Sequence, residues 1–98
     1  MTYRLRVRHD QIALQLYTLR RLTAVDLPGT LRAVAAIGYR AVELAGLPPT
    51  GPGELARLLD EAGLQAVAAH ESIESVRDDA DAVADRLVEV GCPRVIVP

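Results

Sequence analysis

Two side chains in this 98-residue sequence combine reactive chemistry with apolar surroundings. Glu43 lies between Val42 and Leu44, and His70 closes the apolar run of residues 66–69. Burial of an unpaired carboxylate is costly, so Glu43 must face solvent, a partner side chain or a site. A histidine at the end of such a run can bind a metal, transfer a proton or form a hydrogen bond in a pocket wall. Both are therefore candidate site residues, and His70 is the candidate catalytic residue.

A second group of candidates lies nearer the start of the chain. Gln15 and Tyr17 fall two residues apart in the apolar run of residues 12–17, so in a strand both would point to one face. We predict that they line the same site as Glu43 and His70, with ordinary packing as the alternative. Arg20 follows, and it would hold an anionic substrate or form a surface salt bridge.

The elements that position these residues follow from an internal repeat. An amphipathic stretch, a glycine and a short apolar run recur three times, and the glycines Gly38, Gly63 and Gly91 are 25 and 28 residues apart. The apolar runs do not alternate with polar residues, which is typical of parallel strands covered on both faces. They occupy residues 42–44, 66–69 and 95–97, and residues 12–17 form a fourth.

Each amphipathic stretch carries a helical pattern with its own start signal. Asp26 with Pro28 predicts the start of the first helix, and Thr50 with Pro52 predicts that of the second. Gly38 is expected to end the first helix, because glycine can adopt the left-handed conformation. The third helix has the clearest apolar stripe, which comprises Val76, Ala80, Val83, Ala84, Leu87 and Val88.

The order β-α-β-α-β-α-β predicts an α/β fold with four parallel strands and three covering helices. No glycine-rich phosphate loop is present, and near-identical units favour a partial (β/α) TIM-type barrel over an open sheet. A complete barrel takes about 250 residues, so residues 11–98 are expected to form its N-terminal half, after a tail of residues 1–10. The candidate residues then lie at the carboxyl ends of the strands, where such barrels carry their chemistry.

Charge and composition argue against some classes of partner and location. The net charge is −2 without a basic patch, which argues against nucleic-acid partners. No stretch is long and apolar enough to predict a membrane span, so a cytoplasmic location is the default expectation. Cys92 is a lone cysteine and is expected to be a small core residue.

With these elements placed, the chain resembles the sugar phosphate isomerase/epimerase family of xylose isomerase-like TIM barrels. Residues 12–20 resemble the first strand of that family. Residues 30–44 resemble its first helix and second strand, and residues 58–64 with His70 resemble its second helix and third strand. The resemblance implies proton transfer between adjacent carbons of a sugar or polyol, assisted by manganese, magnesium or zinc. It also implies that Glu43 and His70 line the substrate pocket.

The resemblance also implies that this chain lacks most of the active-site residues of the family. In isomerase and epimerase members the metal ligands and catalytic carboxylates come from later strands, so this chain is expected to be inactive alone. His70 would be a metal ligand only if the chain is similar to endonuclease IV, in which the equivalent histidine binds zinc. Two alternatives therefore stay open: half of such a nuclease, or a stand-alone half-barrel that forms a homodimer through its open strand edges.

Overall fold

The computed structural model describes residues 6–98, so residues 1–5 of the predicted tail lie outside the described part. Four strands form one sheet in sequence order, and all three pairings are parallel. Parallel neighbours joined by helices give the predicted α/β fold with four strands. The strands are β1 (Leu14–Gln15), β2 (Ala41–Leu44), β3 (Gln65–His70) and β4 (Val95–Ile96).

Within residues 6–98, five α-helices connect and flank these strands. The three eleven-residue helices are the crossovers predicted from the repeat, and α3 packs between α2 and α5 in one layer. Two short helices were not predicted as separate elements: α1 precedes α2, and α4 precedes α5. The helices are α1 (Arg20–Val25), α2 (Leu27–Ile37), α3 (Pro52–Ala62), α4 (Ile73–Asp78) and α5 (Ala80–Val90), with 3-10 helices at His9–Gln11 and Leu16–Leu19.

The core is aliphatic and lies between the sheet and the helix layer. Leu16, Leu31, Val34 and Val42 are almost completely buried there. Cys92 joins the same cluster, which confirms its predicted role as a small core residue. The helices therefore pack on one face of the sheet. The polar residues of the strands lie on the other face.

The predicted helix boundaries are partly confirmed. The Asp26 carboxylate accepts a hydrogen bond from the Gly29 amide at 2.9 Å, as expected of an N-cap. Gly38 ends α2 as predicted, but with φ 123° and ψ 0° it lies outside the left-handed helical conformation that Gly63 and Gly91 adopt at the ends of α3 and α5. The prediction for Thr50 is wrong, because Gly51 is the N-cap of α3. The Thr50 hydroxyl instead donates to the Pro48 carbonyl at 2.8 Å and holds the loop that precedes the helix.

Three predicted elements differ from the structure. The first strand stops at Gln15, because the backbone turns into the 3-10 helix Leu16–Leu19. The third helix is interrupted at Asp79, whose extended backbone separates α4 from α5. β4 is not covered on both faces as predicted, since both of its residues are exposed.

No helix of residues 6–98 is long and apolar enough to cross a membrane.

Candidate functional site

The alternation of β2 explains the polar residue in its middle. Val42 and Leu44 belong to the core cluster under the helices, so Glu43 between them points to the opposite face of the sheet. Gln15 is its register partner on β1 and points the same way. The carboxylate therefore lies on the face that corresponds to the interior of a barrel.

An irregularity between β2 and β3 brings His70 onto the same face. The register shifts by one residue after Val42, so that Glu43 pairs with Ala68. Register partners in a parallel sheet share a face, and His70 lies two residues beyond Ala68. Gln15, Glu43 and His70 thus converge from three neighbouring strands at their carboxyl ends. The proximity of these three side chains depends both on the pleat of the strands and on this register shift.

One carboxylate oxygen links the three side chains, which we call the Gln15–Glu43–His70 cluster. Gln15 Nε2 donates to Glu43 Oε1 at 3.3 Å, and His70 Nε2 makes a short hydrogen bond to the same oxygen. The Glu43 and His70 side chains are each 22% exposed. Pairing, the structural alternative for Glu43, is therefore present, and the pair still remains within reach of a small molecule.

The hydrogen bonds within the cluster determine which of its atoms are available to bind a ligand. A carboxylate can only accept, so His70 Nε2 is the donor in its bond to Glu43. In the neutral ring this leaves Nδ1 as an acceptor. Glu43 Oε2 and His70 Nδ1 have no hydrogen-bond partner within residues 6–98 and neither is buried. The two atoms can accept hydrogen bonds from ligand hydroxyl groups, and Nδ1 can also accept a proton.

Tyr17 lies outside the cluster, contrary to the prediction that it shares a strand face with Gln15. It follows β1 in the 3-10 helix Leu16–Leu19, and its ring contacts Gly46 beyond the end of β2. Arg20 stacks on the same ring at 4.3 Å and donates to the Tyr17 carbonyl at 3.1 Å. The salt bridge expected for Arg20 is not among the ion pairs of the described residues. Tyr17 and Arg20 instead form one stacked unit at the same end of the sheet.

A cleft of about 290 Å³ adjoins His70 between the carboxyl ends of β2 and β3 and the helices α3 and α5. Glu71 and Arg86 form an ion pair in its wall. Sequence reasoning missed Arg86, because the pattern of the third helix identifies only its apolar stripe. The sequence signal that could have identified Arg86 is weak: it is the only basic residue between Ala80 and Val90. In the structure its side chain is half-buried rather than exposed.

The cluster does not by itself supply a metal site. No three histidine, cysteine, aspartate or glutamate side chains converge anywhere in the described range 6–98. Glu43 and His70 offer two donors, whereas catalytic zinc sites use three protein ligands. The residues present therefore do not fit a complete metal centre, whether of the isomerase or the endonuclease IV type.

Comparison with solved structures supports the fold. A sugar phosphate isomerase/epimerase from Parabacteroides distasonis ATCC 8503 superimposes with a TM-score of 0.72 over 89% of this chain, at 19% sequence identity. The chain spans 38% of the length of that protein. The likeness shows the fold of a partial TIM-type barrel. No family model matches the chain, and no curated protein matches it.

Proposed function

We propose that the Gln15–Glu43–His70 cluster is the hydroxyl-binding wall of an isomerase or epimerase site for a sugar or polyol. The observation that carries the proposal is the single oxygen, Glu43 Oε1, that joins side chains from three adjacent strands. The cluster lies at the strand ends where (β/α) barrels bind their substrates. The similar solved structure, an isomerase/epimerase by its name, supports the same reaction class.

In this proposal each member of the cluster has its own role. Glu43 accepts a hydrogen bond from a substrate hydroxyl through Oε2, while Gln15 holds the carboxylate in place through Oε1. His70 is oriented by its bond to Glu43 and presents Nδ1 to the substrate. A histidine held this way is suited to accept or return a proton, which is the step that isomerisation between adjacent carbons requires.

Tyr17 and Arg20 form the proposed rim of this site. The Tyr17 ring is half exposed and offers an apolar face, against which the carbon-bound hydrogens of a sugar ring can pack. The Arg20 guanidinium lies over the same ring and is exposed, so it can contact an anionic substituent such as a phosphate. A phosphorylated substrate would then bind more tightly than the free sugar.

The divalent metal implied by the resemblance remains part of the expectation. When bound, manganese, magnesium or zinc would supply Lewis-acid stabilisation of the negative charge that develops in such a reaction. Glu43 and His70 would provide at most two of its ligands, and further ligands would have to come from outside the cluster. The roles given to Gln15, Glu43 and His70 do not depend on the metal.

Calorimetric titration of the 98-residue chain with an aldose–ketose pair, glucose 6-phosphate and fructose 6-phosphate, and with the free sugars tests the proposal. Glu43→Gln removes the shared anionic acceptor while it keeps the shape of the side chain. Since a hydrogen bond to a charged group contributes about 1.5–3 kcal/mol, the dissociation constant should rise about tenfold or more.

Glu61→Gln is the matched control, because Glu61 is exposed and pairs with Arg57 on the surface of α3. This variant should bind as the unmodified chain does. Absence of saturable binding to the unmodified chain would contradict the proposal. Equal affinities of the Glu43→Gln and Glu61→Gln variants would contradict the role of Glu43.

A further inference from the structure

We propose that the cleft beside His70 binds a second sugar ring, so that the ligand class of this chain is a disaccharide or another glycoside. The inference rests on the proposed function, because the first ring is the sugar or polyol held by the Gln15–Glu43–His70 cluster. The residues that line the cleft come from the ends of β2 and β3, from the loops that follow them, and from α3 and α5. The cleft is thus formed between the two inner strands and the helix layer.

The end of β3 places the cluster and the cleft next to each other. His70 ends the strand and Glu71 follows it directly, so their Cα atoms are about 3.8 Å apart. His70 bonds to Glu43 of the cluster, while Glu71 pairs with Arg86 of α5 in the wall of the cleft. His70 also lines the cleft. A ligand bound to the cluster can therefore extend past His70 into the cleft.

The ion pair in the cleft wall can recognise hydroxyl groups. It uses Glu71 Oε1 and Arg86 Nη2. Glu71 Oε2 and Arg86 Nε and Nη1 have no hydrogen-bond partner within residues 6–98, and none of these atoms is buried. A hydroxyl group can donate to the carboxylate oxygen and accept from the guanidinium group at the same time. Two neighbouring hydroxyl groups of a sugar ring match this arrangement of one acceptor and several donors.

The rest of the cleft offers an apolar surface to the carbon-bound hydrogens of a ring. Leu44, Leu55 and Leu87 of the core reach the cleft, and Leu47 and Val90 line it as half-buried residues. An apolar lining with a few convergent polar groups is typical of small-molecule sites. The volume of about 290 Å³ lies at the lower end of the range of roughly 300–1,000 Å³ for such sites, so the cleft accommodates one additional ring.

The same features argue against two other substituents. A wholly apolar substituent would cover polar atoms of the Glu71–Arg86 pair without providing hydrogen-bond partners, which is costly. A phosphate group would approach the Glu71 carboxylate as closely as the Arg86 guanidinium, and these two charges oppose each other in their effect on an anion. A neutral ring with several hydroxyl groups avoids both costs.

Calorimetric titration of the full chain with glucose, maltose and cellobiose tests the inference. Both disaccharides contain glucose and present their second ring at different angles. At least one of them should bind with a dissociation constant at least about tenfold lower than that of glucose, because the second ring adds hydrogen bonds to charged groups. Arg86→Met removes the guanidinium group and keeps an unbranched side chain. In this variant the dissociation constants of glucose and of the preferred disaccharide should become nearly equal.

Arg77→Met is the matched control, because Arg77 of α4 is exposed and pairs with Asp78 on the surface. This variant should keep the preference for the disaccharide. Leu47→Trp fills part of the cleft and retains both charged residues, and it should also abolish the preference. Circular dichroism checks the helix content of each variant, and Leu47→Trp carries the test if Arg86→Met fails to fold.

Binding of glucose without tighter binding of either disaccharide would overturn this inference and leave the proposed role of the cluster intact. A preference that survives in the folded cleft variants would also overturn it, because the second ring would then lie elsewhere. Weaker binding of glucose 6-phosphate to Arg86→Met than to Arg77→Met would assign the cleft to the phosphate group and overturn it as well. Absence of saturable binding of all three sugars would contradict the proposed function and this inference with it.

Discussion

Glu43 connects most of the local chemistry of the molecule, since its Oε1 atom is shared by Gln15 and His70. The first prediction at the residue scale concerns His70→Ala. Gln15 still pairs with the carboxylate in this variant, and the cluster is partly exposed, so the free energy of unfolding should fall by less than about 1 kcal/mol. Binding of the phosphorylated sugars should weaken much more. Urea denaturation and calorimetric titration measure the two effects separately.

A large loss of stability in His70→Ala, with ligand affinity unchanged, would make His70 a structural residue. His9→Ala is the internal control, because His9 is exposed in the 3-10 helix His9–Gln11 and takes no part in the hydrogen bonds of the cluster. That variant should change neither quantity.

Gly46 supports the second residue-scale prediction. It adopts φ +65°, and a Cβ atom there would lie 2.6 Å from Tyr17 Cδ2. Gly46→Ala should therefore lower the free energy of unfolding by about 1–3 kcal/mol, from backbone strain together with steric overlap. The double variant Gly46→Ala/Tyr17→Ala should show a coupling energy that reports the overlap. Purely additive effects in urea denaturation would contradict the contact.

The sequence predicts the cluster better than its rim. Glu43 and His70 could be recognised because a polar residue among apolar neighbours has few explanations. Tyr17 could not be placed, since its pairing with Gln15 assumed that the strand continues through residue 17. Neither the 3-10 helix nor the long-range contact with Gly46 has a local sequence pattern. The ion pair of Arg86 with Glu71 likewise depends on how α5 packs against the end of β3.

At the scale of elements, Asp79 decides where α5 begins. Its carboxylate accepts a hydrogen bond from the Ala82 amide at 3.0 Å, and its extended backbone ends α4. Asp79→Ala should destabilise the fold by about 1 kcal/mol, which is the usual cost of losing an N-cap. Asp85→Ala, at an exposed position inside the same helix, should change stability little. Equal effects of the two variants in urea denaturation would contradict the capping role.

The regular elements are predictable where a local signal dictates them. The repeat glycines give the ends of α2, α3 and α5, and Asp26 gives the start of α2. The interruption of the third helix was missed because the apolar stripe runs through it without a glycine or proline. Thr50 was misassigned because threonine and glycine both serve as N-caps and stand side by side.

At the scale of the whole molecule, the apolar stripe of α5 is broader than the core that this chain builds. Val83 and Leu87 are buried as the stripe predicts, whereas Ala80, Ala84 and Val88 remain exposed. The exposed part of the stripe is therefore typical of a helix side that packs against another element. The same reasoning applies to β4, whose apolar residues were predicted to be covered on both faces.

The central claim is that the carboxyl ends of β1, β2 and β3 form a ligand site, and ¹⁵N NMR of the labelled chain tests it most directly. On addition of fructose 6-phosphate, we expect shifts for the His70 imidazole nitrogens and for the amides around Gln15, Glu43 and Gly46, while the His9 imidazole stays unchanged. Saturable shifts confined to those strand ends would support the claim. Shifts confined to other surfaces, or no shifts at saturating ligand, would contradict it.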